Sequence, residues 1–404
     1  MDKYQHHFDI HHFIHNKYND FLLSHTIRSF AVSLISLFIP VFLLEKGVGI
    51  VSVIAFEMVL FLMLMALHVP SINFIRHVGV KTVLIVSYII SIIFYFYLHQ
   101  MDAVLKLIGV VPYLIILSLL NAIFGSLFWM SFHVLFVKST EKSKHRGRKL
   151  GLLQAIPTII SIASPLVGGF LITYAGFKLT FLVAASLFIV AIVPLFFSPD
   201  TTITEKVNVG NIIRGSSKDM NFVFFFEGTS FIGTAFLWPV LLFLFQIAVS
   251  TMGALYFVSK IFYALLSYIS GKKADVGHTE KLVATGSTAL GFSMILRSFS
   301  KIFAIILSAS PLTFIAFFQS IGGISGPLFN IPIQSKFYKM TKDYNPLDVI
   351  VSRELYMTFG RLLMLGILLF LLTTMTVEFA FITMLVMSGV TTFAFAKYKT
   401  QLSA

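Results

Sequence analysis

Very few charged side chains stand inside the long apolar stretches of this sequence, and those few are the residues able to do chemistry. Glu57 and Lys260 each lie near the middle of such a stretch. A charge at this depth is costly in a bilayer unless it faces a cavity or a partner, and a buried glutamate can carry a proton near neutral pH. We therefore expect Glu57 and Lys260 to bind substrate, carry protons or pair with each other. The simpler alternative is a fixed ion pair, or a Lys260 side chain that reaches the membrane surface.

Arg28, Glu227 and His133 are three further ionisable residues inside apolar stretches. Arg28 can hold an anionic group, and Glu227 can receive a proton or a cation. The alternative for these two is a gate, in which opposite charges hold two parts of the protein together. His133 can titrate near neutral pH, although a histidine near a helix end is more often simply interfacial. Arg361, in a later stretch, is interpreted as an anchor near the membrane surface.

Neutral polar and aromatic residues in the same stretches can orient a bound molecule. They are Asn121, Gln319, Asn330, Gln334, Trp129, Trp238 and Tyr256. Together they predict a mostly apolar pocket with a few orienting polar groups, which is the usual form of a small-molecule site. Because the chain contains 45 phenylalanines, an aromatic side chain that faces any one direction is not diagnostic by itself.

The composition identifies the elements that must position these residues. Of the 404 residues, 57% are hydrophobic, 15% are aromatic and only 12% are charged, and the mean hydropathy is +0.91. Soluble proteins carry about 25% charged residues, and disordered chains are polar and poor in aromatics, so both classes are excluded. The apolar residues instead fall in runs of about 20, the length that crosses a ~30 Å hydrocarbon layer as a helix. The alternating segments of a membrane β-barrel do not occur.

Twelve such runs can be counted, so we predict an all-α membrane protein with twelve transmembrane helices. The predicted spans 1 to 12 are residues 25–44, 49–69, 82–98, 112–136, 151–173, 178–197, 222–245, 250–270, 283–300, 311–335, 352–373 and 377–396. An even number of spans places both termini on the same side of the membrane.

Positive charges are distributed unevenly between the two sides that this topology creates. About 22 lysines and arginines fall on the side of the termini, and about 5 fall on the other side. The smaller group consists of Lys46, Lys106, Lys178, Arg297 and Lys301. Because cytoplasmic loops are enriched in Lys and Arg, this asymmetry predicts cytoplasmic termini, and we expect the cell (plasma) membrane. The same asymmetry accounts for the net charge of +13.

A polar segment near the middle divides the chain into two halves with shared landmarks. Pro40 in span 1 corresponds to Pro239 in span 7, and residues 125–129 (GSLFW) correspond to residues 326–330 (GPLFN). Landmarks in the same order at one offset indicate duplicated halves, the arrangement of transporters whose site lies between repeats. The predicted domains are a His-rich cytoplasmic segment at 1–24, a six-helix bundle at 25–197, a cytoplasmic loop at 198–221, a second six-helix bundle at 222–397 and a cytoplasmic tail at 398–404.

A short loop rich in glycine and charge follows the second span of each half. The first loop contains Gly79 and Lys81, and the second contains Gly271, Lys272, Asp275 and Gly277. Such a loop needs glycine for a tight turn and fixed charges that face helix ends. Both loops resemble the signature G-x-x-x-D-[RK]-x-G-[RK]-[RK] of the major facilitator superfamily. In the first loop Arg76 stands where that family has an acidic residue, a departure from the charge relay that closes its cytoplasmic side.

A second resemblance to this family lies in span 5. The residues are Ser164, Pro165, Gly168 and Gly169, and they are similar to the G-P-x-x-G-G element of the family's antiporter branch. The alternative is a packing motif shared with other members, because small residues let helices approach closely in lipid. Span 4 contains no arginine, so the drug-exporter motif is absent and multidrug efflux has little support.

The resemblance covers essentially the whole chain and implies a function. It implies two pseudo-symmetric bundles, a cavity lined by spans 1, 4, 7 and 10, and alternating access to a small-molecule substrate. The sequence contains no phosphate-binding loop and no catalytic motif, so we expect neither an enzyme nor a cofactor. We expect an ion gradient or a counter-solute to drive any uphill transport. The leading hypothesis is proton-coupled export of a small organic solute by a monomer in the lipid bilayer. The alternatives are a uniporter or importer, or a receptor or scaffold without transport.

The N-terminal tail and one basic loop suggest other partners. His7, His11 and His15 share one helical face, a spacing that can ligate zinc. Without an evident fourth ligand we predict no metal, and an interfacial amphipathic segment is the alternative. The basic run at 138–149 is interpreted as a loop attracted to anionic lipid rather than to nucleic acid.

Overall fold

The structure is a computed structural model, and it describes residues 17–140, 146–212 and 218–397 of the chain. Every regular element in these ranges is a helix, and no strand occurs among them. The prediction of an all-α membrane protein is therefore confirmed.

Eight α-helices make up the first half of the described chain. They are α1 (Lys17–Ile35), α2 (Ile39–Glu45), α3 (Ile50–Val78), α4 (Val80–His99), α5 (Met101–Ile108), α6 (Val110–Thr140), α7 (Arg146–Ile160) and α8 (Ser164–Phe197). The described part of the second half contains α9 to α17. They are α9 (Val209–Ile212), α10 (Lys218–Ile232), α11 (Trp238–Leu244), α12 (Val249–Asp275), α13 (Thr279–Ser298), α14 (Ser300–Ile306), α15 (Pro311–Met340), α16 (Pro346–Leu371) and α17 (Val377–Lys397).

Ten segments of the described chain are long and apolar enough to cross a membrane. The count becomes eleven if α13 and α14, which are bent by 64° at their junction, form one span. One of the ten, Lys149–Phe197, contains 49 residues, or about 74 Å of helix. That length is more than twice the ~30 Å hydrocarbon layer. Within this segment, Gly176, with φ +79°, divides α8 into two helices, a conformation that glycine adopts without a Cβ clash.

The two corresponding prolines follow local departures from α-helical geometry. Pro40 comes after a short 3₁₀ turn at Ser36–Phe38, and Pro239 comes after a π-helical turn at Gly233–Leu237. Proline lacks the N–H of the helical ladder and its ring clashes with the carbonyl four residues earlier, so a locally altered turn accommodates it. Both irregular turns contribute residues to the cavity described below.

The two halves pack against each other mainly through three pairs of helices. Helix α12 of the second half packs against α7 and α8 of the first, and α3 of the first half packs against α16 of the second. These are corresponding positions in the repeat, because α3 and α12 contain predicted spans 2 and 8. The interfaces hold the halves together on opposite sides and leave space between them.

Three polar residues on the connections of the first half lie together. The Asp102 carboxylate lies 2.7 Å from Lys46 Nζ and 3.0 Å from Lys178 Nζ. Hydrogen bonds from Lys46 and then Lys178 hold the pKa of Asp102 below its ordinary value. The connections after α2, α4 and the break at Gly176 therefore share one face of the protein. In the second half, Lys301 pairs with Glu378 at 2.9 Å.

Candidate functional site

A cavity of about 700 Å³ lies between the two halves. This volume is in the range of ~300–1,000 Å³ typical of small-molecule sites. Its ionisable lining consists of Arg28, Glu57, His68, His133, Glu227, Arg297, Arg353, Glu354 and Arg361, with tyrosines Tyr95, Tyr256 and Tyr263. Side chains from both halves thus meet around one space, which is the candidate site.

Most of the residues that the sequence predicts for substrate or protons line this cavity. They are Glu57, Arg28, Glu227, His133, Asn121, Gln319, Asn330 and Trp129. Lys260 and Trp238 do not belong to the lining. Lys260 instead donates hydrogen bonds to residues of the first half. The Trp238 ring stacks on Arg297, which does line the cavity.

Arg28, on α1, is a buried cation with aromatic neighbours. Its guanidinium carbon lies 3.3 Å from the centroid of the Phe128 ring and 5.3 Å from that of Phe124. An aromatic face attracts a desolvated guanidinium but offers its N–H groups no carboxylate. The Nε atom has no hydrogen-bond partner, and Arg28 makes no ion pair with any described residue. Arg28 is therefore available to an anionic ligand.

Arg297 lies at the cavity and not on an outer connection, so the sequence-based placement of this residue is wrong. It is in the last turn of α13, is 3% exposed and stacks 4.7 Å from the centroid of the Trp238 ring. Its Nη1 donates a 2.8 Å hydrogen bond to Oε1 of Gln319, whereas Nε and Nη2 are buried without a partner. Stacking and this one hydrogen bond make the burial of Arg297 tolerable, and hydropathy cannot anticipate either.

Arg361, on α16, is also in the cavity and is not an anchor at the membrane surface. It is 8% exposed, and its guanidinium carbon lies 4.5 Å from the Phe231 ring and 5.1 Å from the Phe61 ring. These two rings come from opposite halves. Arg361 makes no ion pair with a described residue, and its Nε atom has no hydrogen-bond partner.

Glu57, on α3, is half-buried at the cavity wall. Within the described chain it makes no ion pair or side-chain hydrogen bond, and Arg361 is the cation near enough to act on it electrostatically. The expected pairing of Glu57 with Lys260 does not occur, because the ammonium group of Lys260 is bonded elsewhere. Helices α3 and α16 pack together, which is why Glu57 and Arg361 meet from opposite halves.

Lys260 projects from α12 and reaches the first half of the protein. Its Nζ donates hydrogen bonds to Oγ of Ser33 at 2.7 Å and to the carbonyl oxygen of Ser161 at 3.2 Å. Ser33 lies on α1, and Ser161 lies in the turn between α7 and α8. Lys260 therefore joins three helices across the interface between the halves.

Arg353, on α16, is the one lining arginine that forms ion pairs within the described chain. Its Nη2 lies 2.7 Å from Oε1 of Glu227, and its Nη1 lies 2.7 Å from Oε1 of Glu354. All three side chains are less than 10% exposed. The charge pattern counts Arg353 among loop cations, which is wrong because the two glutamates compensate its charge inside the protein.

His133, on α6, connects this ion-pair group to the first half. Its Nδ1 lies 2.6 Å from the Tyr338 hydroxyl, and its Nε2 lies 3.5 Å from Oε1 of Glu354. Tyr338 and Glu354 belong to the second half, on α15 and α16. These contacts form a buried polar connection between the halves. The gate alternative requires such a connection, but the residue of the first half that makes it is His133 and not Arg28.

Gly79 and Lys81 attach the first loop to the end of α8. Gly79 has φ +88°, and a Cβ there would overlap the carboxylate of Asp200. Asp200 accepts a 2.9 Å hydrogen bond from the backbone N–H of Lys81, and Lys81 Nζ donates to the Ser198 carbonyl at 2.9 Å. An acidic residue thus caps α4 even though Arg76 replaces the acidic residue of the family signature.

In the second loop the glycines have two different roles. Gly271 lies at the contact of α12 with α7, where its Cα would be 3.3 Å from a Cβ placed on Gly151. Gly277 has φ +91° and follows the end of α12. Lys272 is exposed and Asp275 is half-buried beside it.

The span 5 motif lies where α8 contacts both α1 and α12. A Cβ on Gly168 would overlap the carbonyl oxygen of Leu34, and one on Gly169 would lie 2.8 Å from the carbonyl oxygen of Val249. Pro165 occupies the first turn of α8, and the Ser164 hydroxyl donates to the Ser161 carbonyl at 2.7 Å. The motif therefore sits in a close helix contact and outside the cavity lining.

Sequence reasoning did not single out Arg297, Arg353, Glu354 or His68 as cavity residues. Hydropathy assigns charges near span ends to loops, so this rule wrongly places Arg297 and Arg353 in loops. His68, whose Nδ1 lies 3.2 Å from the Ser126 hydroxyl, is 2% exposed. The adjacent charges at 353 and 354 are a usable signal, because opposite charges so near a span favour an internal pair.

Some predictions fall outside the described residues. The tail histidines His7, His11 and His15 belong to this group, as do residues 141–145 of the basic run. No group of three or more potential metal ligands occurs in the part of the chain that the structure describes.

Comparison with known proteins agrees with the architecture. The family model of the Major Facilitator Superfamily matches residues 21–336. No curated protein sequence matches the chain. Among solved structures, the human organic anion transporter MFSD10 (TETRAN) is similar with a TM-score of 0.64 and 14% identity, over 93% of this chain and 98% of that one. This similarity is one of fold. The match over most of the length, together with the helical fold, shows that the chain belongs to the major facilitator superfamily of membrane transporters.

Proposed function

We propose that this protein transports small organic anions by alternating access to the cavity between its halves. The observation that carries the proposal is the set of three buried arginines, Arg28, Arg297 and Arg361, that line the cavity without an ion-pair partner in the described chain. A buried cation is costly unless it is compensated. An anionic substrate supplies that compensation while it is bound. When the site is empty, the stacked aromatic rings stabilise the buried guanidinium groups.

The remaining lining supports an anion over a cation. Glu227 and Glu354 are both engaged by Arg353, so Glu57 is the lining carboxylate without an ion pair in the described chain. A cationic substrate would meet three arginines that make no ion pair and one carboxylate that makes none. The name of the similar structure, a human organic anion transporter, agrees with this choice, although the two chains share only 14% identity.

The topology that we propose is twelve crossings in two six-helix bundles, with both termini in the cytoplasm. Counting the 49-residue segment as two crossings, and the bent pair α13–α14 as one, supports that number. The contact of Asp102 with Lys46 and Lys178 supports a common face for three connections of the first half. The scarcity of positive charge on that face supports its assignment as the outer one.

We propose that transport is coupled to protons, with Glu57 as the carrier. Export is the direction expected from the span 5 resemblance, and an inside-negative membrane potential favours exit of an anion by about 2.3 kcal/mol per charge per 100 mV. A second candidate is proton-coupled import. It is favoured by the proximity of Glu57 to Arg361, because a protonated Glu57 leaves Arg361 uncompensated and the proton and anion then bind together.

A receptor or scaffold without transport is the rival from another class. The volume of the cavity, about 700 Å³, and its charged lining from both halves support a transporter over that rival. The departure of the first loop from the family signature at Arg76 is the feature that favours this rival, but Asp200 supplies an acidic residue at the same helix end.

The test uses the purified full-length protein in two steps. A thermal-shift screen against matched organic anions and cations identifies ligands, because a ligand that binds the folded state raises the unfolding midpoint. Counterflow in proteoliposomes then measures transport of the labelled hits. We expect stabilisation and counterflow with anions, and a loss of at least tenfold in apparent affinity in Arg28→Gln and Arg361→Gln. Lys301→Gln, which removes a cation outside the cavity, is the matched control. Selective stabilisation by organic cations would overturn the proposal.

A further inference from the structure

We infer that the transported anion carries two separate anionic groups, one bound by Arg297 in the second half and the other by Arg28 in the first. This rests on the proposed function, because it defines the class of anion that the same cavity takes. The class is a small dianion, such as a dicarboxylate, whose two charged groups are joined by an apolar spacer.

Arg297 has a buried edge without hydrogen-bond partners, and the geometry of that edge matches a carboxylate. Its Nη1 is occupied by Gln319, and the two nitrogens without partners, Nε and Nη2, share one edge of the planar guanidinium. That edge donates two parallel hydrogen bonds to the two oxygens of a carboxylate. The Trp238 ring, 4.7 Å away, fixes the plane of the group. Because a buried donor without an acceptor costs free energy, a bound carboxylate relieves both nitrogens at once.

Arg28 provides the second anchor in different surroundings. It is 6% exposed, its guanidinium is stacked on Phe128, and its Nε atom has no hydrogen-bond partner. The groups that act on it electrostatically are Tyr88 and Tyr95 of the first half. The group that acts on Arg297 is Tyr256 of the second half. The two arginines therefore lie in different halves of the lining, each beside tyrosines of its own half.

The charges of the lining indicate that the ligand carries two anionic groups. Arg353 is compensated by Glu227 and Glu354, and Arg361 lies near Glu57. Arg28 and Arg297 are the lining cations of the described chain that have no carboxylate in this role. A monoanion would leave one of them buried and uncompensated, whereas a dianion compensates both.

The rest of the lining suits an apolar connection between the two anionic groups. Aromatic and aliphatic side chains from both halves line the cavity, including Phe56, Leu60, Phe94, Phe124, Phe236 and Leu290. A dianion that contacts both halves also stabilises the conformation in which the two halves close around the substrate. Binding at Arg28 and Arg297 together couples occupancy of the site to the approach of the two bundles.

The experiment compares diacids with their own monomethyl esters, which have nearly the same shape but one charge fewer. The probes are the linear dicarboxylates from succinate to sebacate, and phthalate, isophthalate and terephthalate. Binding to the purified full-length protein is measured by thermal shift and isothermal calorimetry. We expect at least one diacid to bind at least tenfold more tightly than its monoester. In Arg297→Gln we expect this preference to disappear.

Two further variants keep the result interpretable if Arg297→Gln fails to fold. Arg297→Lys keeps the charge but loses the two-nitrogen edge, so the diacid preference should shrink without vanishing. Lys301→Gln removes a cation outside the cavity and should keep the full preference. Equal affinities for a diacid and its monoester in the natural protein would overturn the inference and leave anion transport standing. Binding of organic cations in place of both would overturn the proposed function as well.

Discussion

The ammonium nitrogen of Lys260 lies 2.7 Å from the hydroxyl oxygen of Ser33, and the two residues belong to opposite halves of the protein. The same ammonium group is bonded to the Ser161 carbonyl oxygen. Alternating access requires the halves to move against each other, so these bonds stabilise the arrangement seen here over any arrangement in which α12 has moved away from α1. Lys260 is thus a contact between moving bodies, although its position in the sequence predicts a binding residue.

The first prediction is that Lys260→Met lowers the stability of the purified protein. Methionine fills similar space but donates none of the charge-assisted hydrogen bonds, each of which contributes about 1.5–3 kcal/mol. We expect a lower midpoint of thermal unfolding in detergent. Lys301→Met is the control, because Lys301 is 41% exposed and pairs with Glu378 at the surface. Equal midpoints for the two variants would contradict the assignment of Lys260 as a contact between the halves.

The second prediction concerns the buried group around Arg353. The variant Arg353→Gln leaves Glu227 and Glu354 buried without their cation. Removal of one partner from a buried ion pair costs about 3–5 kcal/mol of folding stability. We expect severe loss of folded protein, measured by size-exclusion chromatography and thermal unfolding. The triple variant that adds Glu227→Gln and Glu354→Gln removes the stranded charges, so it should recover most of the loss. Failure of the triple variant to recover would argue that packing of Arg353 dominates over its charge.

Much of the fold follows from hydropathy because lipid imposes one rule on every span. A backbone in hydrocarbon must satisfy its own hydrogen bonds, so runs of about 20 apolar residues predict helices. Gly79 and Gly176 show how glycine marks the span ends. Gly79 lies in a turn that the loop motif predicts, and Gly176 lies in the break predicted between spans 5 (151–173) and 6 (178–197).

The third prediction tests the close approach of α8 and α1. A Cβ on Gly168 would overlap the backbone carbonyl of Leu34, and a backbone atom cannot rotate away as a side chain can. We expect Gly168→Ala to yield little folded protein. Gly366→Ala is the matched control, because no atom lies within 4 Å of its Cβ position and alanine favours the helix. Normal yield and melting of Gly168→Ala would show that α1 and α8 can separate at this point.

The fourth prediction is a pH-dependent contribution from Asp102. Lys46 and Lys178 lower the pKa of its carboxyl in the folded protein, so its stabilising effect is complete above the unfolded pKa of about 3.9 and is lost as pH falls through the lower folded pKa. Asp102→Asn should therefore lower the unfolding midpoint near pH 7. The difference from the natural protein should shrink as the pH falls below the unfolded pKa, and it should vanish below the lowered folded pKa, where both carry a neutral side chain. A difference that persisted unchanged at pH 3 would contradict this assignment.

The fifth prediction is that Glu57→Gln separates proton coupling from substrate exchange. A neutral Glu57 no longer exchanges a proton, so a pH gradient should cease to stimulate uptake into proteoliposomes. Counterflow of the same anion at equal pH should continue, because Arg28 and Arg297 are unchanged. Glu378→Gln, at the surface beside Lys301, is the matched control. Loss of counterflow together with the gradient effect would assign Glu57 to binding instead.

The candidate site was less predictable than the fold, and particular residues explain why. Glu57 and Glu227 are conspicuous because each is an isolated charge in an apolar run. Arg297 and Arg353 lie near span ends, where a loop is the default interpretation, and only the Trp238 ring and the two glutamates reveal their burial. The Glu57–Lys260 pairing failed for a related reason. Sequence gives the depth of a residue in the membrane but not the face of the helix on which it lies.

The stacking of Arg28, Arg297 and Arg361 on aromatic rings has a kinetic consequence. A transporter with bound anion changes conformation with its buried positive charges compensated. Without bound anion, only the aromatic rings stabilise these charges during the same conformational change. For the anion transport proposed above, we expect the return of the vacant carrier to be the slow half of the cycle. Anion on the trans side should accelerate that return by refilling the carrier, so we expect exchange of anions across the membrane to be faster than net transport.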